Sequence, residues 1–188
     1  MTITIEDHAQ HLKMLLFIRQ AWSVAQDVDI PELSPVPATG TSRIPVSASR
    51  EVWEKRWRQQ WARSWAWFDV SRVQDGPMSQ DEMRDISRPG QDLHPIVPPF
   101  WPIEYGEDGF DLAAFTAWDM QTIPAFPSRS ERDSLPALID AWQDGLTTVL
   151  VLPYRGYFVQ RLNSSHLVVS AETRNDPALY TRALQTRR

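Results

Sequence analysis

The sequence predicts an α+β fold, on three observations. Long amphipathic patterns fill the N-terminal part of the chain, three short β-rich segments follow one another after residue 146, and a capped helix follows the last of them. Helices followed by strands favour α+β over an alternating parallel α/β sheet. We therefore expect one domain over residues 1–188, helical over about 1–145 and sheet-forming over about 146–188.

The first of two long N-terminal helices is predicted over residues 5–27. Apolar side chains recur three and four positions apart, as at Leu12, Leu15 and Leu16. Proline removes a backbone donor and fixes φ, so this helix should end before Pro31.

The second long helix is predicted over residues 49–69, where a tryptophan recurs every fourth residue at Trp53, Trp57, Trp61 and Trp65. Each step of four turns about 40° around the axis, so the rings cover about 120° of one face. Such a stripe is typical of core packing. Whether it packs within one chain or across a dimer stays open.

Shorter helices and proline-rich connections separate these helices from the strands. Residues 29–46 and 89–102 are rich in proline and predict extended connections. Helices are expected over 79–86, 110–121 and 134–144. Exposing the apolar end of the second connection to water is costly, so three residues there should pack on the core: Phe100, Trp101 and Ile103.

The C-terminal part predicts a three-stranded antiparallel meander. Residues 147–154 are mostly apolar, as in a strand covered on both faces, and residues 157–162 and 166–172 supply two further strands. Arg155 and Gly156 fit a tight hairpin between the first two, with its flanking tyrosines exposed. A last helix starts with a typical cap and proline, Asp176 and Pro177.

Composition excludes several classes of function. The net charge of −5 opposes attraction to nucleic acid or anionic lipid, and the absence of cysteine removes disulfides and thiolate sites. The start of the chain lacks a secretory pattern, and the apolar runs Met14–Ile18 and Val149–Leu152 are far shorter than the roughly 20 residues that span a bilayer. Seventeen arginines against two lysines resemble the bias of a GC-rich bacterial genome. We expect a bacterial cytoplasmic protein without nucleic-acid or membrane partners.

No motif assigns a catalytic residue, a cofactor or a metal. The seven glycines form neither a dinucleotide-binding turn nor a phosphate loop, and no nucleophile elbow occurs. His8 and His11 have a spacing that can place two ligands on one helical face, but no third ligand is predictable. The carboxylates around Gly106 do not follow calcium-loop spacing, and capping of the next helix explains Asp108 or Asp111.

Charge is distributed unevenly along the chain. Residues 50–72 carry a net +3, residues 75–119 a net −8 and residues 145–188 a net +4. Either the acidic middle folds against the basic segments, or an acidic face meets a basic partner.

These observations favour a non-catalytic module that binds another protein, of the immunity, antitoxin or adaptor kind, with homo-oligomerisation left open. Tyrosine, tryptophan and arginine combine contact area with a directional polar end. The candidate partner- or ligand-binding residues are therefore Trp101, Tyr105, Tyr154, Arg155 and Tyr157.

The alternative function is a small enzyme or a small-molecule-binding protein with a tryptophan-lined pocket. There Arg155 or Arg174 would hold an anion, and an acidic residue or a histidine would transfer protons. A deep pocket with convergent titratable groups would favour this alternative, and a flat aromatic patch would favour a partner surface.

Overall fold

The computed structural model describes residues 2–69, 98–123 and 129–186, which form a mixed helical and β structure around one four-stranded sheet. The described strands are β1 (Thr4–Glu6), β2 (Thr148–Leu152), β3 (Val159–Arg161) and β4 (His166–Ser170). The described helices are α1 (Gln10–Trp22), α2 (Arg50–Asp69), α3 (Trp101–Tyr105), α4 (Leu112–Thr122), α5 (Ser130–Asp133), α6 (Leu135–Gln143), α7 (Ala171–Asn175) and α8 (Pro177–Leu184).

The sheet differs from the predicted antiparallel meander. Its strand order is β1-β2-β4-β3, with β2 parallel to both β1 and β4, and only β3 antiparallel to its neighbour β4. The chain after β2 does not turn back in a tight hairpin. Instead, Arg155 N donates to Glu32 O at 2.7 Å and Ser34 N donates to Pro153 O at 2.8 Å. These bonds draw the connection away from β2, and β4 takes the position beside β2.

The first predicted helix is wrong at its start. Residues 4–6 form β1, which pairs with β2, and helix α1 begins only at Gln10 and ends at Trp22. Ile3 and Ile5 alternate with threonines, a strand pattern, and pairing with β2 satisfies their backbone. The part predicted as helical therefore contributes one edge of the sheet.

Strand β2 is covered on both faces, as predicted. Val149 and Val151 pack in the cluster that includes α6 and α8, whereas Leu150 and Leu152 pack in the cluster that includes α1 and α2. All four are buried. Because successive side chains of a strand point to opposite faces, the sheet forms a middle layer between two helical layers.

The predicted capped helices are confirmed, as is the long helix α2. Asp111 begins α4, its Oδ1 accepting from Ala114 N at 3.0 Å, and Asp176 begins α8, its Oδ1 accepting from Ala178 N at 2.9 Å. Pro136 lies in the first turn of α6. The helix predicted over 79–86, and residues 89–97 of the second proline-rich connection, lie outside the described residues.

The apolar end of the second connection follows the prediction only in part. Trp101 is buried and Phe100 is half-buried, but the side chain of Ile103 is 79% exposed. Residues 101–105 form the short helix α3, which places Trp101 on its inner face and Ile103 on its outer face.

One buried ion pair joins the start of α1 to the end of α4. Lys13 Nζ donates to Asp119 Oδ1 at 2.9 Å, to Thr122 Oγ1 at 2.8 Å and to the carbonyl of Asp7 at 2.6 Å. The Lys13 and Asp119 side chains are only 1% and 7% exposed. All three ammonium protons have acceptors, which is the condition under which a buried charge is tolerated.

Removing one partner of this pair should destabilise the fold strongly. We expect Asp119→Ala to lower the free energy of unfolding by about 3–5 kcal/mol, because it leaves a buried ammonium without its counter-charge. Urea denaturation measures this. The matched control is Glu54→Ala, which breaks the more exposed Glu54–Arg58 pair and should cost less than about 1 kcal/mol. Equal losses in the two variants would contradict the assigned role of the buried pair.

Candidate functional site

The five residues predicted to bind a partner or ligand do not form one surface. Trp101 and Tyr154 are 1% and 3% exposed, so the exposure expected for Tyr154 at a hairpin tip is wrong. Tyr154 is drawn inward because it forms a bridge with Leu33 and packs on Phe158. Burial raises the pKa of the Tyr154 phenol well above its usual range, so it stays neutral.

The other three predicted residues are accessible but have partners within the chain. Arg155 lies 2.6 Å from a carboxylate oxygen of Glu32, and the ring of Tyr157 has the Arg182 guanidinium 5.0 Å from its centroid. Tyr105 is half-buried, and its ring lies 4.7 Å from that of Trp101. Burial, then the carboxylate of Glu104, raises the pKa of Tyr105.

A groove of about 660 Å³ lies between the C-terminal half of α2 and strand β3, and we define it as the aromatic groove. Its aromatic lining is Trp61, Trp65, Tyr154 and Phe158, and its polar lining is Asp29, Gln160 and Arg161. Tyr154 is therefore the one member of the predicted set that reaches it. The Trp61 and Trp65 rings are nearly perpendicular, with centroids 5.4 Å apart.

The drift of the tryptophan stripe explains why α2 supplies both core and groove. Trp53 and Trp57 are buried, and Trp57 Nε1 donates to the carbonyl of Leu15 at 2.8 Å, which fixes α2 against α1. Trp61 and Trp65 are half-buried. Because each step of four turns about 40°, the later rings rotate away from the direction of the first two. The drift was visible in the sequence, but the prediction treated all four rings as one core-packing stripe.

Strand β3 forms the opposite wall of the groove and is an edge of the sheet. Ser170 N donates to Phe158 O at 3.3 Å and Leu162 N donates to His166 O at 3.0 Å. Hydrogen-bonded positions alternate in an antiparallel ladder, so the bonded positions of β3 are the even-numbered ones. The backbone groups of Val159 and Arg161 then point away from β4, and no strand pairs with them in the described part of the chain.

The carboxylates near the groove differ in their partners. Asp27 lies against the Arg58 guanidinium and Glu32 against that of Arg155. Asp29 lines the groove, is exposed, and has no ion pair among the described residues. No sequence signal marked Asp29, because it lies in a proline-rich connection whose path is set by distant contacts.

Arg161 lines the aromatic groove, and its guanidinium donates hydrogen bonds to the β3–β4 turn. Its Nε donates to the carbonyl of Asn163 at 2.9 Å, and a terminal nitrogen donates to the carbonyl of Ser164. Burial lowers the pKa of Arg161, and the nearby carboxylate of Asp144 opposes this shift. Arg161 is thus held towards the β3–β4 turn.

The two histidines do not lie together on one helical face, although their spacing would allow it. His8 precedes the first turn of α1, and its ring lies 3.3 Å from the Asp7 carboxylate, whereas His11 is buried. Among the described residues no group of three histidine or acidic side chains could hold a metal. His11 packs between Phe68 and Phe100, with ring centroids 5.7 and 6.1 Å away.

Three of the five acidic residues that the structure describes in segment 75–119 have partners within the chain, whereas Glu107 and Asp108 are exposed. Glu104 binds Arg63 and Asp119 binds Lys13. Asp111 accepts from the backbone and hydroxyl of Thr41, and hydrogen bonds lower its pKa to about 2. For these residues, the acidic middle folds against other segments of the chain, whereas residues 75–97 lie outside the described part.

No protein-family model matches the chain, and no curated protein or solved structure does so either. Within the described ranges, no helix combines the length and apolar character needed to cross a membrane.

Burial of His11 should make stability depend on pH. Its pKa falls from 6.5 to about 4 in the folded chain because burial disfavours the charged form. The unfolded chain then binds a proton that the folded chain does not, so stability is lost as pH falls from about 6.5 to 4. At about 1.4 kcal/mol per pH unit, the loss is about 3 kcal/mol.

Urea unfolding of His11→Leu between pH 7 and pH 4 checks this, since the variant should lack that loss. His8→Gln is the matched control and should keep it, because His8 is exposed. Asp111 does not interfere with this measurement between pH 7 and pH 4. Its pKa is lowered from 3.8 to about 2, so the stability that its carboxylate contributes is lost only as the pH falls from about 3.8 to 2. A wild-type pH dependence in His11→Leu would contradict the assignment.

Proposed function

We propose that this protein is a non-catalytic binding module that takes an extended segment of a partner protein into the aromatic groove, as an added strand beside β3. The observation that carries the proposal is the position of the groove along β3, an edge strand with which no further strand pairs in the part of the chain that the structure describes. An unpaired edge offers a row of backbone donors and acceptors to another chain. A groove beside it supplies the side-chain selectivity that such strand addition requires.

The side chains of the groove suit contact with a protein. Tryptophan and tyrosine are enriched at interfaces because they offer large area with few rotatable bonds. Trp61 and Trp65 are half-buried, so their fixed rings still offer accessible surface to a partner. Phe158 and Leu162, which flank β3, pack against the core cluster that includes α2. Because successive side chains of a strand point to opposite faces, Gln160 lies on the same face of the sheet as these two residues.

Recognition is assigned to the groove rather than to an acidic face. Three of the five acidic residues described in segment 75–119, namely Glu104, Asp111 and Asp119, already have partners in the chain, which weakens the support for charge-driven neutralisation of a basic partner. An adaptor or an immunity-type protein would each use such a groove. A bacterial, cytoplasmic location remains part of the proposal and rests on composition.

Small-molecule binding is the second candidate, and the size of the groove favours it. A volume of about 660 Å³ falls in the range of about 300–1,000 Å³ typical of ligand pockets. The arginines expected to hold an anion are engaged elsewhere, Arg155 with Glu32 and Arg174 with Glu131 at 2.7 Å. The groove therefore fits an uncharged or cationic aromatic ligand better than an anionic one.

A phage-displayed library of random heptapeptides, panned against the folded protein, tests the proposal. We expect enriched peptides that bind the wild-type protein and lose at least about tenfold in affinity on Trp65→Leu, since aromatic anchors carry much of the energy of an interface. Fluorescence anisotropy of labelled peptides measures the affinity. Circular dichroism confirms that the variant is folded.

Two substitutions at Val159 distinguish the contribution of its backbone N–H to peptide binding from that of its side chain. Val159→Pro removes an N–H that points away from β4, so the β3–β4 ladder keeps its bonds. We expect it to weaken peptide binding about fivefold, the value of one hydrogen bond of about 1 kcal/mol. Val159→Ala keeps that N–H and should stay within about twofold of wild type. Equal binding to Val159→Pro and Val159→Ala, or no enriched peptide, would contradict strand addition.

A further inference from the structure

The described lining of the aromatic groove includes one carboxylate, that of Asp29. Asp29 lines the groove and is exposed, and the structure gives it no ion pair among the described residues. The two neighbouring carboxylates in sequence are compensated, Asp27 by Arg58 and Glu32 by Arg155. The one guanidinium of the lining, that of Arg161, donates to carbonyls of the β3–β4 turn instead. Arg161 keeps its positive charge, and the carboxylate that acts on it is that of Asp144. Asp29 therefore stays without an ion-pair partner in the described part of the chain.

The aromatic rings of the groove also attract cations. An indole carries negative electrostatic potential on its face, and a cation within about 6 Å of the ring centroid is attracted to it. Trp61 and Trp65 are half-buried and nearly perpendicular at 88°. The chain already uses such contacts elsewhere, since the Arg56 guanidinium lies 4.5 Å from the centroid of Trp53.

We propose that the groove selects a segment carrying a basic side chain, arginine or lysine, which sits against Trp61 and Trp65 and is neutralised by Asp29. This inference rests on the proposed function and names the chemistry of its occupant. The long apolar stem of such a side chain packs on aromatic surface while its charged end reaches a carboxylate. An acidic or phosphorylated segment would instead meet Asp29 with like charge.

A charge exchange at Asp29 tests the inference with the same heptapeptide library. Peptides enriched on the wild-type protein are expected to share an arginine or lysine at one position. Panning on Asp29→Lys is expected to replace it with aspartate or glutamate, and each consensus peptide should bind its own protein at least about tenfold better than the other protein. Glu32→Lys is the matched control, because Glu32 is exposed and close in sequence but pairs with Arg155 and does not line the groove. It should keep the basic consensus.

The outcomes separate this inference from the proposed function. Enriched peptides that share a neutral consensus, unchanged on Asp29→Lys, would overturn the basic occupant and leave strand addition standing. A shift in consensus on Glu32→Lys equal to that on Asp29→Lys would also overturn it, because the effect would then be one of overall charge. The absence of any enriched peptide on the folded wild-type protein would overturn both.

Discussion

The parallel pairing of β2 with β4 is the constraint on which the arrangement of the groove depends. Parallel neighbours cannot be joined by a tight turn, so the chain must leave β2 and cross to the far side of β4 before returning. Strand β3 lies in that crossover, and within the described ranges β4 is its one neighbour in the sheet. The same departure brings residues 153–155 against residues 32–34, with the Leu33–Tyr154 bridge between them. The same topology thus makes β3 an edge strand of the described sheet and places Tyr154 in the lining of the groove.

Helix α2 supplies the other wall of the groove and is held in place at both ends. The Trp57 indole donates to the Leu15 carbonyl of α1, and Trp53 packs on Trp22 with ring centroids 5.4 Å apart. At its far end, Asn163 Nδ2 donates to the carbonyl of Phe68 at 2.6 Å, which ties α2 to the β3–β4 turn. A helix fixed at both ends holds Trp61 and Trp65 at a set distance from β3, as a preformed binding site requires.

Much of the local structure could be predicted from the sequence, because helix caps and side-chain periodicity depend on residues that are close together in the chain. Asp111 and Asp176 cap helices through their own carboxylates, and the four-residue tryptophan period needs no distant partner to indicate α2. The direction of β2 could not be predicted in this way. A short apolar strand can pair with a parallel or an antiparallel neighbour, and its sequence does not distinguish the two. The turn expected at Arg155 and Gly156 did not form a hairpin, because the chain there bonds to a segment more than a hundred residues earlier. The groove combines Asp29 with Phe158, and no local pattern connects them.

Amide hydrogen exchange, measured by nuclear magnetic resonance, tests most directly whether the outer edge of β3 receives another strand. In the free protein the Val159 and Arg161 amides should exchange quickly, whereas the Gln160 amide, which faces β4, should be protected. Adding a peptide selected for the groove should protect Val159 and Arg161 and leave Gln160 unchanged. Exchange at Val159 and Arg161 that is already slow in the free protein, or that stays fast with the peptide bound, would contradict the account.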